Sequence, residues 1–173
     1  MTGQIHIYTE ESKGKTTAAI GLAIRAYGTG MKIYIAQFVK GMEYNELKVL
    51  EKLKDGIEYE MFGKACLLDR KPSDEDIQLA KNGYNKIKEL FKSGCKYDMV
   101  ILDEFNIAIH FNLITIEEAL SLIELKPKNV ELIITGRNAP FELVKCADLV
   151  TEMLNIKHYY ASKKIEARKG IEF

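Results

Sequence analysis

The chain has 173 residues, in which 25 Lys plus Arg balance 25 Asp plus Glu. That length suits one domain, residues 1–173, able to bury most of the apolar surface of its unfolded form. With zero formal charge, no global field draws it to nucleic acid or to an anionic membrane, so any anion site has to be local.

Ile5–Tyr8 is a short β-branched and aromatic run that reads as a buried strand. From Thr16 to Tyr27, good helix formers carry Ala, Ile and Leu at three- and four-residue intervals, and Gly28-Thr29-Gly30 ends that helix. Ile33–Phe38 is a second strand. A helix is predicted over Glu43–Leu53, closed by Lys54-Asp55-Gly56, with an extended piece at Ile57–Phe62 after it. Gly63–Pro72, with Lys64, Asp69, Arg70 and Lys71, is the least regular stretch and is expected to form the variable part of the active site. Ser73, with Asp76 three residues on, opens a long amphipathic helix from about Asp74 to Ser93, which Gly94 ends. Met99–Leu102 and Glu131–Thr135 are further strands. Between them Thr115 caps a helix with Glu117 and Glu118 at its positive end, and Lys126-Pro127 closes it. The alternation predicts an α/β fold: a mostly parallel sheet with helices on both faces, in three layers.

The first strand runs through Thr9-Glu10-Glu11-Ser12-Lys13-Gly14-Lys15-Thr16-Thr17 directly into the first helix. A triphosphate needs convergent backbone N–H donors, a lysine for its oxygens and a hydroxyl for magnesium, and a tight turn feeding a helix supplies all three. Gly14, Lys15 and Thr16 match the last three elements of the P-loop pattern, while Thr9 stands where its first glycine belongs. The plainer reading is a polar turn with a basic residue at a helix start. Lysine there is electrostatically poor unless an anion offsets it, which favours phosphate.

Tyr97–Leu102 leads into Asp103-Glu104, a buried strand ending in two carboxylates, the pattern that brings an acid to the magnesium of a P-loop site. Ligands in open α/β sheets gather beyond the carboxyl ends of the strands, where this pair and the lysine turn would meet. Glu131–Thr135 ends in Gly136-Arg137 at the same edge, so Arg137 is a candidate for phosphate oxygens and equally an exposed arginine in a solvated turn.

Together these segments resemble the ATP:corrinoid adenosyltransferases of the cobalamin-biosynthesis type, a P-loop family of RecA-like fold. The likeness is carried by Tyr8-Thr9, Lys13-Gly14-Lys15-Thr16-Thr17-Ala18-Ala19, Arg25-Ala26, Gly30, Gln37-Phe38-Val39-Lys40-Gly41 and Leu102-Asp103-Glu104. It continues through Thr135-Gly136-Arg137, Ala147–Met153, Lys157-His158-Tyr159 and Gly170-Ile171-Glu172-Phe173. The family also has threonine at the position of Thr9.

The resemblance implies transfer of the adenosyl group of ATP to reduced corrinoid cobalt, with triphosphate leaving. It implies that the turn from Thr9 through Ser12 to Thr17 holds the triphosphate through Lys13, Gly14, Lys15, Thr16 and Thr17. Thr16 and Glu104 would bind Mg2+, and Arg25, Gln37 and Lys40 would line the nucleotide site. Lys15, Thr16 and Glu104 form the expected catalytic set. No general base is called for, because cobalt(I) is itself the nucleophile, and Asp103 would orient a metal-bound water. A homodimer is implied as well.

Glu10 and Ser12 stand where the family usually has glycine. With the Glu10 side chain toward solvent the site is kept; turned toward the phosphates, it would oppose them. Where the family has a Gly-rich stretch with Phe and Trp for the corrinoid, this chain has Phe62–Leu68, and it contains no Trp at all. The chain begins at the first strand, so the amino-terminal extension with which some members cover the active site is not expected. Two further readings stay open on sequence: an ordinary P-loop ATP hydrolase, and a protein that binds nucleotide or corrinoid without turnover.

Cys66, Cys95 and Cys146 are odd in number and widely spaced, fitting neither a disulfide framework nor a zinc site. With no signal-peptide core, this reads as cytoplasmic. His158 beside Tyr159 and Tyr160 reads as a packed, hydrogen-bonded residue, and Lys163-Lys164 with Arg168-Lys169 as a solvated face.

Overall fold

The computed structural model describes residues 2–41, 45–64 and 70–172. Its strands are β1 Ile5–Thr9, β2 Ile33–Phe38, β3 Ile57–Phe62, β4 Met99–Asp103, β5 Glu131–Thr135 and β6 Leu149–Glu152. All pair in parallel, in the order β3-β2-β4-β5-β1-β6. The helices are α1 Lys15–Tyr27, α2 Asn45–Leu50, α3 Asp74–Lys92, α4 Phe105–His110, α5 Ile116–Leu125, α6 Phe141–Cys146 and α7 Tyr159–Lys163. A 3-10 turn, Glu51–Leu53, prolongs α2.

Parallel strands bury both faces, and the alternation of side chains decides which helix each residue meets. Ile33 and Ile35, Met99 and Ile101, and Ile133 face Ala19, Ala23 and Ala26 of α1 with Leu47 and Leu50 of α2. Tyr34, Ala36 and Phe38, Val100 and Leu102, and Leu132 and Ile134 point the other way, into a cluster with α3, α4 and α5. A one-residue slip of any central strand would exchange these two sets. The result is the three-layer α/β architecture expected from the sequence, a parallel sheet with helices on both faces.

Alanine at every buried apolar position of α1 lets that helix lie close over the sheet, which fixes where its amino end emerges. β5 lies between β1 and β4, so the turns that leave β1 and β4 stand apart with space above β5, where ligands of such sheets bind.

The expected strands and helices are present, with α1 starting one residue early and β4 reaching Asp103. Glu43, the expected start of the second helix, lies outside the described residues, as do residues 65–69 of the irregular Gly63–Pro72 stretch. Four elements were not anticipated: α4, α6, β6 and α7. Every residue of β6 is exposed, so it lacks the apolar run that marks the other strands. Among the described residues no helix is long and apolar enough to cross a membrane.

Ser73 caps α3 as its sequence predicts. Its hydroxyl accepts from the Asp76 N–H, and the Asp76 carboxylate accepts from the Ser73 N–H at 2.8 Å. Arg70 adds a bidentate pair to the same carboxylate, at 2.6 and 2.8 Å. The Arg70 guanidinium and the Ser73 donors outweigh burial and hold the Asp76 carboxyl well below the usual carboxylate range. Replacing Asp76 by Ala should cost about 1–2 kcal/mol in urea titration. A depressed native pKa stabilises above the unfolded pKa of about 4. The difference between wild type and variant should therefore persist at neutral pH and shrink as the pH falls below that value.

Candidate active site

Gly14, at φ 122°, turns the chain from the loop into α1, in a region of backbone space that residues with a Cβ rarely adopt. A Cβ there would also lie 2.9 Å from Met153 Sδ. Among the described residues no side chain caps α1, and its first turn holds no acidic residue. By contrast, α3 and α5 both open with capping boxes and carboxylates. The first N–H groups of α1 and the positive end of its dipole are thus left for something else, and the first residue is a lysine.

Lys15 bends back over its own loop, donating to the carbonyls of Glu10 at 2.6 Å and Ser12 at 2.7 Å. Burial pushes its pKa down; Arg137 and Lys40 add to that, against Glu104 and Glu11. Glu10 adopts φ 77°, taking the backbone conformation of the glycine it replaces. Its side chain is not among the described residues that line the cleft, whereas Glu11 is.

Across the gap, Asp103 is fully buried and accepts from four groups. The hydroxyls of Thr16 and Thr135 donate to Oδ1 at 2.8 and 2.6 Å, and Gln37 Nε2 and Lys40 Nζ donate to Oδ2, both at 3.0 Å. Burial alone would raise this carboxyl; Lys40 and the three hydrogen bonds outweigh it and keep Asp103 ionised. Glu104 turns outward at φ 58°, its N–H donating to Thr135 Oγ1 at 3.0 Å. Its carboxylate lies 3.4 Å from Lys40 Nζ. Burial pushes its pKa up, with Asp103 adding to the rise and Lys40 opposing it.

Four central strands leave the sheet in the same way. Glu10 after β1, Val39 after β2, Glu104 after β4 and Gly136 after β5 all have positive φ, between 58° and 131°. For Glu10, Val39 and Glu104 this is a strained conformation, of the kind that clusters at functional sites. It reverses the chain at each strand end and places the loops around one opening.

That opening is a cleft of about 620 Å³. Of the residues singled out from sequence, Ser12, Lys13, Gly14, Lys15, Thr16, Thr17, Lys40, Glu104 and Arg137 line it. Thr9, Arg25 and Gln37 are not brought to its wall. The buried Thr9 accepts the Ala139 N–H at 3.2 Å, tying β1 to the loop after β5. Gln37 serves Asp103 from behind. Arg25 is exposed in the last turn of α1, while its neighbour Ile24 lines the cleft with Ile20 and Gly21.

The residues of the far wall were quoted for their likeness to the family but given no role in the site by sequence reasoning. Ile171 O and Glu172 Oε1 accept from Lys13 Nζ at 2.7 and 2.9 Å, and Tyr159 and Arg168 also donate to Glu172. Gly170, Ile171 and His158 stand beside them. His158 caps α7, its Nδ1 accepting the Tyr160 N–H at 3.1 Å. Met153 supports the turn between β1 and α1 from below: its N–H donates to Thr9 O, and its carbonyl accepts from Ser12 N–H. Arg137 pairs with Glu11 at 2.9 Å on the rim.

The sequence profile described as ATP:corrinoid adenosyltransferase BtuR/CobO/CobP matches residues 1–173. The chain belongs to this family. It is 36% identical to a corrinoid adenosyltransferase of Sinorhizobium sp., over 99% of this chain and 80% of that protein. With the corrinoid adenosyltransferase of Escherichia coli (strain K12) it shares 31%, over 99% and 86%. With that of Pseudomonas aeruginosa it shares 30%, over 99% and 84%. The family to which the short sequence motifs pointed is therefore the one shown.

Asp103→Asn should be severe without touching any ligand. It leaves the Lys40 ammonium without its buried counter-charge and sets an amide N–H₂ against other donors. A loss of about 3–5 kcal/mol in urea titration is expected. An unchanged midpoint would show that the four donors do not depend on the charge.

Proposed function

We propose that this chain transfers the 5'-deoxyadenosyl group of ATP to the reduced cobalt of a corrinoid and releases triphosphate. Family membership and the names of its relatives support this reading. The observation that carries it is the uncapped amino end of α1, with Lys15 facing Glu104 across one cleft. On this reading the α1 N–H groups and Lys15 receive the triphosphate, and Lys13, Gly14, Ser12 and Thr17 complete its cradle. Lys15, Thr16 and Glu104 form the catalytic set.

Cobalt(I) of the substrate supplies the electron pair that attacks C5', the bond from C5' to the phosphate oxygen breaks, and its electrons leave with triphosphate. Neither water nor a general base takes part. The chain's work is to hold the two substrates in line and to neutralise the charge that grows on the leaving oxygens. Lys13, Lys15 and Arg137 are cations within reach of that task. Each rests on an internal acceptor that a polyphosphate can replace. Gln37 and Thr9 support the site through Asp103 and Ala139, and Arg25 is given no contact with nucleotide.

The donor set fits magnesium. Among the described residues no cluster of three or more His, Cys, Asp or Glu could cage a metal, and Mg2+ with a nucleotide asks for few protein oxygens beside phosphate and water. Thr16 gives its proton to Asp103, which leaves its lone pairs for the cation, and Glu104 offers a carboxylate on the cleft side. When bound, Mg2+ would draw charge from the triphosphate as it leaves. We also propose one domain over residues 1–173 acting as a cytoplasmic homodimer. The family resemblance supports the assembly, and the absence of disulfide-framework spacing in the sequence supports the compartment.

ATP, Mg2+ and chemically reduced corrinoid should yield adenosylated corrinoid and free triphosphate. Lys15→Ala should lower both together by about 10²–10³-fold. ADP and orthophosphate as the sole products would assign a hydrolase instead, and ligand binding without turnover would assign a sensor.

Lys15 also predicts a pH dependence. Its pKa is lowered in the free protein, and a bound polyphosphate would raise it, so binding takes up a proton between the two values. ATP affinity should fall as the pH rises through the free-protein pKa, measured by calorimetry. Lys15→Arg, whose charge does not titrate, should remove that slope.

A further inference from the structure

Lys40 occupies an unusual position for a residue expected merely to line the nucleotide site. Its ammonium lies 3.0 Å from Thr16 Oγ1, 3.0 Å from Asp103 Oδ2 and 3.4 Å from Glu104 Oε1. Thr16 Oγ1 and Glu104 Oε1 are the oxygens proposed above for a divalent cation at the amino end of α1, and Asp103 lies beside them, bonded to Thr16. Val39, at φ 65°, reverses the chain just before Lys40 and sends its side chain back over the β4 end. The ammonium also takes one of the two lone-pair positions that Thr16 keeps after donating its proton to Asp103.

We infer that Lys40 is a built-in stand-in for the divalent ion, holding the metal position in the nucleotide-free protein and yielding it when the metal arrives on its nucleotide. The inference rests on the proposed roles of Thr16 and Glu104. Asp103 is buried and accepts from the Lys40 ammonium at 3.0 Å, so Lys40 supplies at this position the positive charge that a bound dication would bring. A dication entering alone would have to displace the ammonium and leave it beside Lys15 with no new counter-charge. A dication entering with triphosphate brings anionic oxygens that accept the displaced ammonium. Metal and nucleotide binding are thereby coupled through one side chain, and the coupling is reciprocal.

The test is Mn2+ binding, followed by the electron paramagnetic resonance of the free ion, with no corrinoid and no turnover. Wild-type protein alone should bind Mn2+ at least tenfold more weakly than wild type with a non-hydrolysable ATP analogue. Lys40→Met keeps the aliphatic stem and should bind Mn2+ without nucleotide at least tenfold more tightly than wild type. Lys40→Gln serves in the same way should the Met variant fail to fold by circular dichroism. Tight Mn2+ binding to nucleotide-free wild type would overturn the inference by itself, as would equal nucleotide-free affinities of wild type and both variants. Thr16→Val and Glu104→Gln report on the underlying reading. If Mn2+ in the nucleotide complex is insensitive to both, the metal roles are wrong. If it is sensitive but Lys40 makes no difference, the stand-in alone is wrong.

Discussion

One buried carboxylate organises this molecule's functional edge. Asp103, at the end of β4, takes hydrogen bonds from the first turn of α1 through Thr16, from β2 through Gln37, from β5 through Thr135 and from the turn after β2 through Lys40. A lone ionised carboxylate in such a place would be very costly. Four donors from four segments reduce that cost, and only when all four segments are in register. The sheet order matters here: β2 and β5 flank β4, so Gln37 and Thr135 reach Asp103 from either side. α1 crosses β4 and β5 with only alanines buried against the sheet, close enough for Thr16 to reach the same atom.

The cleft next to this carboxylate is electrically prepared before anything occupies it. Lys15 lies on two loop carbonyls, Lys13 on Ile171 O and Glu172, Arg137 on Glu11, and Lys40 on the Asp103 and Glu104 side. On the proposed reading, a polyphosphate would exchange partners with these cations instead of meeting bare charge. The net affinity is the difference between two sets of hydrogen bonds, each offset by desolvation. Buried Lys15, whose pKa is lowered by that burial, stands to gain most from a full anionic charge. Lys13 and Arg137 are more exposed, so solvent screens what they exchange.

Much of this was legible in the sequence, for identifiable reasons. β2, β4 and β5 are buried on both faces and so appear as continuous apolar runs, and the boxes Ser73/Asp76 and Thr115/Glu118 mark their helices by residue type alone. β6 escaped because an edge strand with all four residues exposed carries no apolar signature. α4 escaped because its buried residues continue the apolar character of β4, with only the reversal at Glu104 between them. In the site, Gly14, Lys15, Thr16 and Glu104 could be found because a local pattern defines them. The placing of Met153 under the turn before α1 and of Glu172 against Lys13 could not, since each meets its partner across most of the chain's length. Arg25 stands one position on α1 from Ile24, which lines the cleft, so the helix turns it away from the wall, a detail of phase that residue type does not reveal.

Thr9, which departs from the general P-loop pattern, and Glu10, which stands where the family usually has glycine, show how the turn tolerates them. Thr9 is used as a hydrogen-bond acceptor by the loop after β5, a contact that glycine could not make. Glu10 keeps positive φ despite its side chain, and its carbonyl is held by Lys15. That conformation costs about 1–2 kcal/mol for a residue with a Cβ, and the Lys15 contact together with the ties to Met153 fixes it in place. The same reversal at Val39 and Glu104 places strain at the ends of β2 and β4 as well, while Gly136 makes it without strain after β5, and the four loops surround the cleft. Strain so placed is offset by the Asp103 network beneath it, so the accuracy of the cleft and the stability of the sheet edge rest on the same hydrogen bonds.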